Sequence, residues 1–396
     1  MVSVNGIYLY GDGMHDDTSA IQQLLDSGLS EIYLPGCENF YLISSTLIIH
    51  SHQTLSMARS TEIRLAAGSD CLMLSNATTD DSDICINGGI WNFNNKNQSP
   101  NPIETGKYTC GETCDDGAFM TDYMGVMMRF CGIERFTLAN VTLKDPVTFC
   151  VELAHIKHFT VENIFFDFNY GNPTPVNMDG IHLDGYCHFG TIRNLKGACY
   201  DDLVAINADD FLRGPISDIA VDGIFANDCH SAVRLLSTRS NVERITINNV
   251  FGTYYQYTIG FTYFYPYDGI NGNFDAITLS NIYASKAERR PIYCKGDSYV
   301  YSLIFIDENL HIKNLNITGL HRVEAVTAIP LITVKANTRI DTLSLIAVSQ
   351  ENQLDKPIPL VHNQGKIGKL YAYNIQTGGD EFIKNDGVIK TIVGTD

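Results

Sequence analysis

The residues of this 396-residue chain whose types and spacing could do chemistry are three aspartates. Asp179 lies 22 and 23 residues before the adjacent pair Asp201 and Asp202. Crowded carboxylates raise one another's pKa, so one stays protonated as a general acid while an ionised one activates water. This is the two-carboxylate requirement of glycoside hydrolysis. Clustered carboxylates also suit hard cations, so calcium binding by the same aspartates is an alternative.

The same interval recurs along the chain as a weak repeat. A unit of the form apolar-x-apolar-x-Asn-apolar has its asparagines at Asn140, Asn163, Asn194, Asn249, Asn281 and Asn316. Most of the gaps suit one coil each, and the longest takes in a related segment at 221–228. Short β-branched strands at this period, separated by turns, indicate a stacked solenoid. A β-sandwich would need hairpin turns every ~8–12 residues. We therefore predict an all-β, right-handed single-stranded parallel β-helix.

A capping helix is predicted near the start of the chain. Asp16, Asp17 and Thr18 precede an amphipathic stretch that ends at Gly28. Capping residues, helical spacing and a terminal glycine agree with one another. The helix would close the open end of the solenoid within a cap region at residues 1–35.

The rest of the chain is predicted to form one domain. Residues 92–124 lack periodicity and are expected to form a long loop, and the whole span 1–396 is expected to be a single β-helix domain. The repeated asparagines are predicted to take the left-handed conformation at tight turns and to stack into a ladder.

A parallel solenoid would bring the three aspartates together. Residues one coil apart lie on neighbouring strands about 4.8 Å apart, so Asp179 should converge with the pair on one surface patch. Consecutive strand residues face opposite sides, and an unpaired buried carboxylate is costly. Asp201 and Asp202 are therefore predicted to lie at a strand–turn edge that faces solvent. Asp184 is interpreted as turn support and Asp209–Asp210 as a solvated turn.

Several segments resemble, in order, the polygalacturonases and their relatives, glycoside hydrolase family 28. They span roughly residues 5–265: YGDGMHDDTSAIQ (10–22), INGGIWNFNN (86–95), LKDPVTFCVEL (143–153), NMDG (177–180) and YDDLVAIN (200–207). The last two are the most specific because they match two family motifs at one-coil spacing. The resemblance implies a β-helix of the pectin-lyase-like superfamily that hydrolyses glycosidic bonds in an oligo- or polysaccharide, without a cofactor or metal.

The resemblance also implies roles for individual residues. Asp201 would be the general acid, and Asp179 and Asp202 would hold and activate water, with inversion of configuration. His230 lies where the family has a Gly-His-Gly motif and is expected in the catalytic site. Asn177, from the motif that contains Asp179, is expected to bind substrate.

One family motif departs from the pattern. The Arg-Ile-Lys motif, which engages the substrate carboxylate in polygalacturonases, should lie near 259–264, where this chain reads IGFTYF. The surrounding aromatic residues are Tyr254, Tyr255, Tyr257, Phe261, Tyr263, Phe264, Tyr265 and Tyr267. Aromatic faces with hydroxyl tips suit neutral sugars. We therefore predict a cleavage-site sugar other than unmodified galacturonate, bound by Tyr263 and Tyr265. Arg234, expected in the substrate site, is the alternative source of a cation, as are Arg289 and Arg290.

Composition limits the partners. The net charge of −18, from 45 acidic and 27 basic residues, predicts no binding to nucleic acid or anionic membrane and no long-range attraction to a polyanion. The sequence contains no run of 18 apolar residues, so no membrane span is predicted. The first residues do not resemble a signal peptide, and 11 irregularly spaced cysteines, including Cys110 and Cys114, indicate scattered thiols. These features slightly favour the cytoplasm over the exterior, with localisation and oligomeric state left open.

Three functions are compatible with these features. The first is an inverting glycosidase of polygalacturonase type. The second is a β-helix lyase or epimerase that acts on uronates, which would want a basic residue near the carboxylates, such as Arg193, Lys196 or Arg234. The third is a non-catalytic, carbohydrate-binding or tail-fibre-like β-helix, which would have no reason to keep three acidic residues in register.

Overall fold

The computed structural model describes residues 1–105, 119–120, 123–264, 270–288 and 301–394. A helix, α1, spans Thr18–Leu25, and a short 3-10 helix spans Asn95–Asn97. The strands, in chain order, are β1 Val2–Val4, β2 Ile7–Leu9, β3 Glu31–Leu34, β4 Tyr41–Ile43, β5 Leu47–Ile49, β6 Thr54–Met57, β7 Glu62–Leu65, β8 Leu74–Asn76, β9 Asp81–Asn87, β10 Ile90–Asn92, β11 Met128–Cys131, β12 Ile133–Ala139, β13 Thr142–Lys144, β14 Val151–Ala154, β15 Lys157–Asp167, β16 Ile181–Leu183, β17 His188–Ala198, β18 Asp202–Asn207, β19 Ile216–Cys229, β20 Ser231–Leu236, β21 Asn241–Tyr254, β22 Ile259–Thr262, β23 Gly272–Lys286, β24 Ile304–Ile306, β25 Leu310–Glu324, β26 Ile332–Val334, β27 Arg339–Asn352, β28 Val361–Asn363, β29 Lys366–Gln376, β30 Ile383–Asn385 and β31 Val388–Gly394.

Two parallel sheets contain the strands from β3 onward. The first, called the short-strand sheet, runs in the order β5, β8, β11, β14, β16, β18, β20, β22, β24, β26, β28 and β30. The second, called the long-strand sheet, contains the others. Each strand pairs in parallel with its counterpart one coil away, for example β18 with β16 and β20. This is the predicted right-handed parallel β-helix.

The repeated asparagines form a corner of the coil. Asn140, Asn163 and Asn194 have φ values of 55° to 59°, and those of Asn249 (57°) and Asn281 (54°) are similar. The side-chain amide of Asn163 donates to Asn140 over 2.9 Å, and that of Asn194 donates to Asn163 over 2.5 Å. Asparagine tolerates this left-handed conformation better than other residues with a Cβ. The predicted turn conformation is therefore confirmed at all five positions. The ladder is confirmed for the first three, whereas Asn249 donates to Asp222 and Asn281 donates to Asn248.

The prediction for Asn316 is wrong. This residue lies within β25 and pairs with Thr278 and Ser344. The left-handed corner of that coil is Gly319, with a φ of 68°, next to Asn281 in the neighbouring coil. Glycine adopts this conformation without a steric penalty, so the coil needs no asparagine there.

A continuous apolar core fills the solenoid. Alternate residues of the short strands point inward, such as Ile181 and Leu183 of β16 and Val204 and Ile206 of β18, all without exposed surface. Burial of such a side chain contributes about 1.5–3 kcal/mol. The residues between them point outward and form the outer face of the short-strand sheet, which carries the candidate site.

Helix α1 packs against the first coils, as predicted, and buries Ile21, Leu24 and Leu25. The capping interpretation holds for Asp16, whose Oδ1 accepts a hydrogen bond from the amide of Thr18 over 2.9 Å, but it needs a correction for Asp17. The carboxylate of Asp17, at the N-cap position, accepts hydrogen bonds from the amides of Tyr10 (2.6 Å) and Gly11 (3.0 Å) rather than from the helix. Strand β3 already pairs with β6, so the solenoid begins inside the predicted cap region.

The predicted long loop lies between β10 and β11. Its described residues contain the 3-10 helix and no strand, and 106–118 and 121–122 fall outside the described part of the chain. Cys110 and Cys114 are therefore not described. The cysteines that the structure describes are free thiols, as predicted. No helix in the described ranges combines the length and apolar character that a membrane crossing requires.

Candidate active site

A row of outward-facing residues crosses the middle of the short-strand sheet. Arg129, Glu152, His182, Ala205 and Arg234 occupy equivalent positions in β11, β14, β16, β18 and β20. Their sequence neighbours point into the core, so the strand phase turns all five outward. The row places charged and polar groups of successive coils about one strand spacing apart.

The three aspartates lie beside this row, at the N-terminal ends of β16 and β18. Asp202 is the first residue of β18, Asp201 precedes it, and Asp179 lies just before β16. The amide of Gly180 donates to the carbonyl of Asp202 over 3.0 Å, which joins the two coils at this point. One coil further on, the amide of Ser231 donates to the carbonyl of Asp201 over 3.3 Å. The convergence expected from the one-coil spacing is therefore present.

Asp179 and Asp201 line a pocket of about 340 Å³ on this face, whereas the fully buried Asp202 does not contribute to its lining. Polar residues in its lining include Asn177, Asp179, His182, Asp201, His230 and Arg234. Aromatic residues in the lining include Phe149, Tyr257, Phe264, Tyr301 and Phe305. The pocket thus combines carboxylates with apolar walls, which is the usual composition of a small-ligand site.

The prediction that both paired aspartates face solvent needs a correction. Asp202 lies at the strand edge as expected, yet its side chain has no exposed surface, and Asp179 is 2% exposed. The side chain of Asp201 keeps 22% of its surface exposed. The desolvation of Asp179 and Asp202 is tolerated because each has a partner that supplies a proton or a positive charge.

Asp202 is paired with Arg234. The Nη1 atom of Arg234 lies 3.4 Å from Oδ2 of Asp202, and the hydroxyl of Tyr257 donates to Oδ1 over 3.2 Å. Arg234 also donates from Nε to the hydroxyl of Thr262 over 3.0 Å. Burial and the neighbouring Asp201 raise the pKa of Asp202 above its ordinary value, and Arg234 opposes this shift.

Asp179 is paired with His182. The Nδ1 atom of His182 lies 2.8 Å from Oδ2 of Asp179, and the imidazole stacks on Phe149 with ring centroids 4.2 Å apart. Burial lowers the pKa of His182, but the bond to Asp179 and the surrounding carboxylates outweigh it and raise the pKa to about 10. Burial and Asp201 raise the pKa of Asp179 well above its ordinary value, and the hydrogen bond from His182 opposes this shift by favouring the ionised form.

The acidic residues interpreted as turn elements also belong to this region. Asp184 and Asp210 are buried and lie 3.8 Å and 3.7 Å from Nε2 of His182. Asp209 is buried too, and its Oδ2 accepts hydrogen bonds from the amides of 238, 239 and 240, each over 2.8 Å. The pair Asp209–Asp210 is therefore not a solvated turn. The carboxylate of Asp209 binds backbone amides of the next coil, and that of Asp210 lies near His182.

Asp201 has a different electrostatic neighbour. Its Oδ1 lies 3.6 Å from Nδ1 of His230, beyond hydrogen-bond range, and that nitrogen is 2.8 Å from the hydroxyl of Ser231. Burial lowers the pKa of His230 to about 4, which leaves the imidazole neutral at pH 7. Burial also raises the pKa of Asp201 to about 6, against the opposing charges of Arg234 and His182. Asp201 is thus suited to carry a proton near neutral pH.

The same residues offer donors to a cation. One donor atom from each of Asp201, Asp202 and His230 lies within 4.8 Å of the others. Two carboxylates and an imidazole suit several divalent ions. The guanidinium of Arg234 beside Asp202 opposes a second positive charge there, so this donor set fits a metal poorly.

The aromatic residues predicted near the substrate lie in different environments. Tyr254 and Phe261 are buried in the core, whereas Phe264 is 59% exposed at the pocket with the guanidinium of Arg234 4.9 Å from its ring centroid. Tyr263 packs against the core, and its hydroxyl donates to the carbonyl of Ile270 over 2.5 Å. Tyr265, Tyr267, Arg289 and Arg290 lie outside the described residues.

Sequence reasoning missed His182 and Phe149 as pocket residues. A usable signal was present for His182, because the core residues Ile181 and Leu183 on either side of it turn it outward, next to Asp179. Phe149 had no comparable signal, since it precedes β14 in an irregular segment.

Comparisons with known proteins support the fold. No protein-family profile matches the sequence, and no curated protein matches it significantly. Among solved structures, the endo-xylogalacturonan hydrolase of Aspergillus tubingensis is similar at a TM-score of 0.62 and 14% identity over 96% of this chain and 98% of that chain. The family 28 exopolygalacturonase of Yersinia enterocolitica is similar at 0.61 and 12% over 95% and 77%. The surface adhesin PfbA of Streptococcus pneumoniae is similar at 0.57 and 13% over 96% and 90%. The chain therefore has the right-handed parallel β-helix fold that these two hydrolases and the adhesin adopt.

Proposed function

We propose that this protein is an inverting glycoside hydrolase in which Asp201 is the general acid and Asp179 and Asp202 hold and activate water. The observation that carries the proposal is the difference between the three aspartates. Asp179 is hydrogen-bonded to His182 and Asp202 is paired with Arg234, whereas Asp201 lies beside the neutral imidazole of His230 and is the most exposed of the three. Carboxylates whose environments separate their pKa values divide into acid and base roles.

The reaction assigned to this arrangement is a single displacement. The proton on Asp201 passes to the glycosidic oxygen as the bond to the anomeric carbon breaks. A water molecule on the opposite face of the sugar attacks that carbon and loses a proton to Asp179 or Asp202. Asp201 recovers a proton from solvent, to which it remains partly exposed, and the base gives up the proton that it took from water. The product has the inverted anomeric configuration.

The proposed substrate has a neutral sugar at the cleavage site. In the described part of the chain, two basic side chains near the pocket are already engaged: Arg234 with Asp202, and the buried ammonium of Lys286 with the carbonyls of Gln256 and Tyr301. A uronate carboxylate would therefore compete with existing ion pairs and would enter a pocket that already contains several acidic groups. Tyr257 and Phe305, whose rings stack with centroids 6.3 Å apart, offer an apolar wall suited to a sugar ring.

Lyase or epimerase chemistry has less support. It would want a basic residue close to the carboxylates. Arg193 is bound to Glu162 on the long-strand sheet, and Lys196 is exposed on the same sheet. Arg234 is in the pocket but is paired with Asp202. A non-catalytic β-helix would gain nothing from placing three costly carboxylates side by side.

A panel of neutral and acidic oligosaccharides tests the proposal. Release of reducing ends, without the ultraviolet absorbance of an unsaturated product, is the expected result. Proton NMR of the first turnovers should show the inverted anomer. An unsaturated product would instead indicate a lyase, and sugar binding without release of reducing ends across the panel would indicate a non-catalytic protein.

A further inference from the structure

The imidazole of His182 lies in the floor of the pocket and has carboxylates on both sides of the ring. It is 1% exposed, and its Nδ1 is within 2.8 Å of the Asp179 carboxylate. Its Nε2 faces Asp184 and Asp210 at 3.8 Å and 3.7 Å. Within the described residues, this nitrogen has no hydrogen-bond partner.

This geometry favours the doubly protonated ring. With a proton on Nδ1 for the bond to Asp179, a neutral ring would point the Nε2 lone pair at Asp184 and Asp210, which is repulsive when either is ionised. A proton on Nε2 makes both contacts attractive, and the low dielectric of a buried site strengthens the difference.

Other charged groups around the ring do not remove this preference. Glu152 is the neighbour of His182 in the outward row of β14 and is bound by Arg129, with Nε of the arginine 2.5 Å from the carboxylate. Ala205, the neighbour on the other side, carries no charge. Phe149 covers one face of the ring and holds its plane.

We infer that His182 is a positioning residue whose imidazolium keeps the Asp179 carboxylate ionised and oriented toward the attacking water. The inference rests on the proposed function and adds a reason for the division of roles among the aspartates. Without the imidazolium, Asp179 would be a buried carboxyl beside Asp201 and Asp202 and would take up a proton. It would then compete with Asp201 for the role of proton carrier.

The kinetic test is His182→Gln, which can still donate one hydrogen bond but carries no charge. We expect kcat to fall at least tenfold while KM changes less than threefold. The acidic limb of the kcat/KM profile, which reports ionisation of the base, should move upward by at least one pH unit. The matched control is His311→Gln, which removes a similar histidine–aspartate contact (2.9 Å, to Asp341) on the long-strand sheet and should leave both quantities unchanged.

A second measurement is independent of catalysis and of whether His182→Gln folds. In wild-type protein with 15N-labelled histidine, His182 should show two protonated ring nitrogens at pH 8, where exposed histidines are neutral. Asp179→Asn should lower the pH at which this signal is lost. A neutral ring at pH 7 would overturn the inference, as would a kinetic profile of His182→Gln that keeps its acidic limb in place. If the wild-type protein hydrolyses no glycoside, the proposed function fails, and the NMR result still decides the charge of His182.

Discussion

At the scale of single residues, the feature that matters is the electrostatic neighbour of each aspartate. Asp179 and Asp202 are buried and face His182 and Arg234, whereas Asp201 keeps some exposure and faces the neutral ring of His230. The cost of removing a carboxylate from water is offset when a cation or hydrogen-bond donor approaches it. Identical side chains can therefore hold a proton in one position and lose it in another.

Replacement of the general acid tests this division. Asp201→Asn is nearly isosteric but has no acidic proton to give, so kcat on a substrate with a poor leaving group should fall by a factor of about 10² to 10⁴ or more. Asp80→Asn, at an exposed position outside the pocket, is the control and should retain activity. Near-normal turnover of Asp201→Asn would remove Asp201 from the acid role.

The pH dependence of activity follows from the same residue. Because the acid must be protonated and the pKa of Asp201 is raised to about 6, kcat/KM should fall about tenfold per pH unit above pH 6. A profile that stays flat up to pH 8 would contradict this assignment.

The pH dependence of stability provides a check without substrate. The pKa of Asp201 is higher in the folded protein than in the unfolded chain, so its ionisation destabilises the fold as pH rises from about 4 through about 6. Asp201→Asn removes this penalty. The variant should melt at a higher temperature than wild type at pH 8, and the difference should shrink at pH 4.5. An equal difference at the two pH values would show that burial does not shift Asp201.

At the scale of elements, single left-handed residues turn the long strands. In the pairing of β15 with β17, Glu162 lies opposite Arg193 and Ile164 lies opposite Leu195. Asn163 forms the corner between these two pairs. At the corner, one continuous chain segment turns from one face of the coil to the next. The short-strand sheet forms the face that carries the site.

Substitutions at this corner separate backbone conformation from side-chain hydrogen bonding. Asn163→Ala and Asn163→Gly both lose the two ladder hydrogen bonds, but only alanine also has to hold a φ of 56° with a Cβ. The left-handed conformation costs about 1–2 kcal/mol for such a residue. We expect the alanine variant to be less stable than the glycine variant by about 1 kcal/mol in urea-induced unfolding. Equal stabilities would mean that the corner is not conformationally constrained.

At the scale of the whole molecule, the net charge of −18 acts on any charged substrate before contact. A polyanion is repelled most strongly at low salt, because the Debye length is about 30 Å at 0.01 M and about 10 Å at 0.1 M. A neutral oligosaccharide experiences no such repulsion. The global charge and the engaged cations of the pocket thus favour the same class of substrate.

Salt dependence distinguishes the two substrate classes. Neutral oligosaccharides should be hydrolysed with a kcat/KM that changes less than twofold between 10 and 150 mM salt. Polygalacturonate should be the poorer substrate, with its largest disadvantage at 10 mM. Efficient hydrolysis of polygalacturonate at low salt, lost on Arg234→Gln, would contradict the neutral-sugar proposal and assign uronate binding to Arg234.

The features that the sequence determined by itself are those that depend on local pattern and period. The repeat predicted the parallel β-helix, the asparagines predicted five of six corners, and the one-coil spacing predicted that Asp179 would meet Asp201 and Asp202. These predictions succeed because strand phase and turn conformation are properties of short segments, and stacking then repeats them.

The tertiary structure alone decided how the surroundings of the three aspartates differ. That distinction depends on burial and on partners from other coils, such as Arg234 and Tyr257 against Asp202. The same reason explains why Asp209 and Asp210 were misinterpreted as a solvated turn, since their partners follow from coil packing. Desolvation and charge pairing are non-local, and they vary over a few ångströms that a sequence repeat does not define.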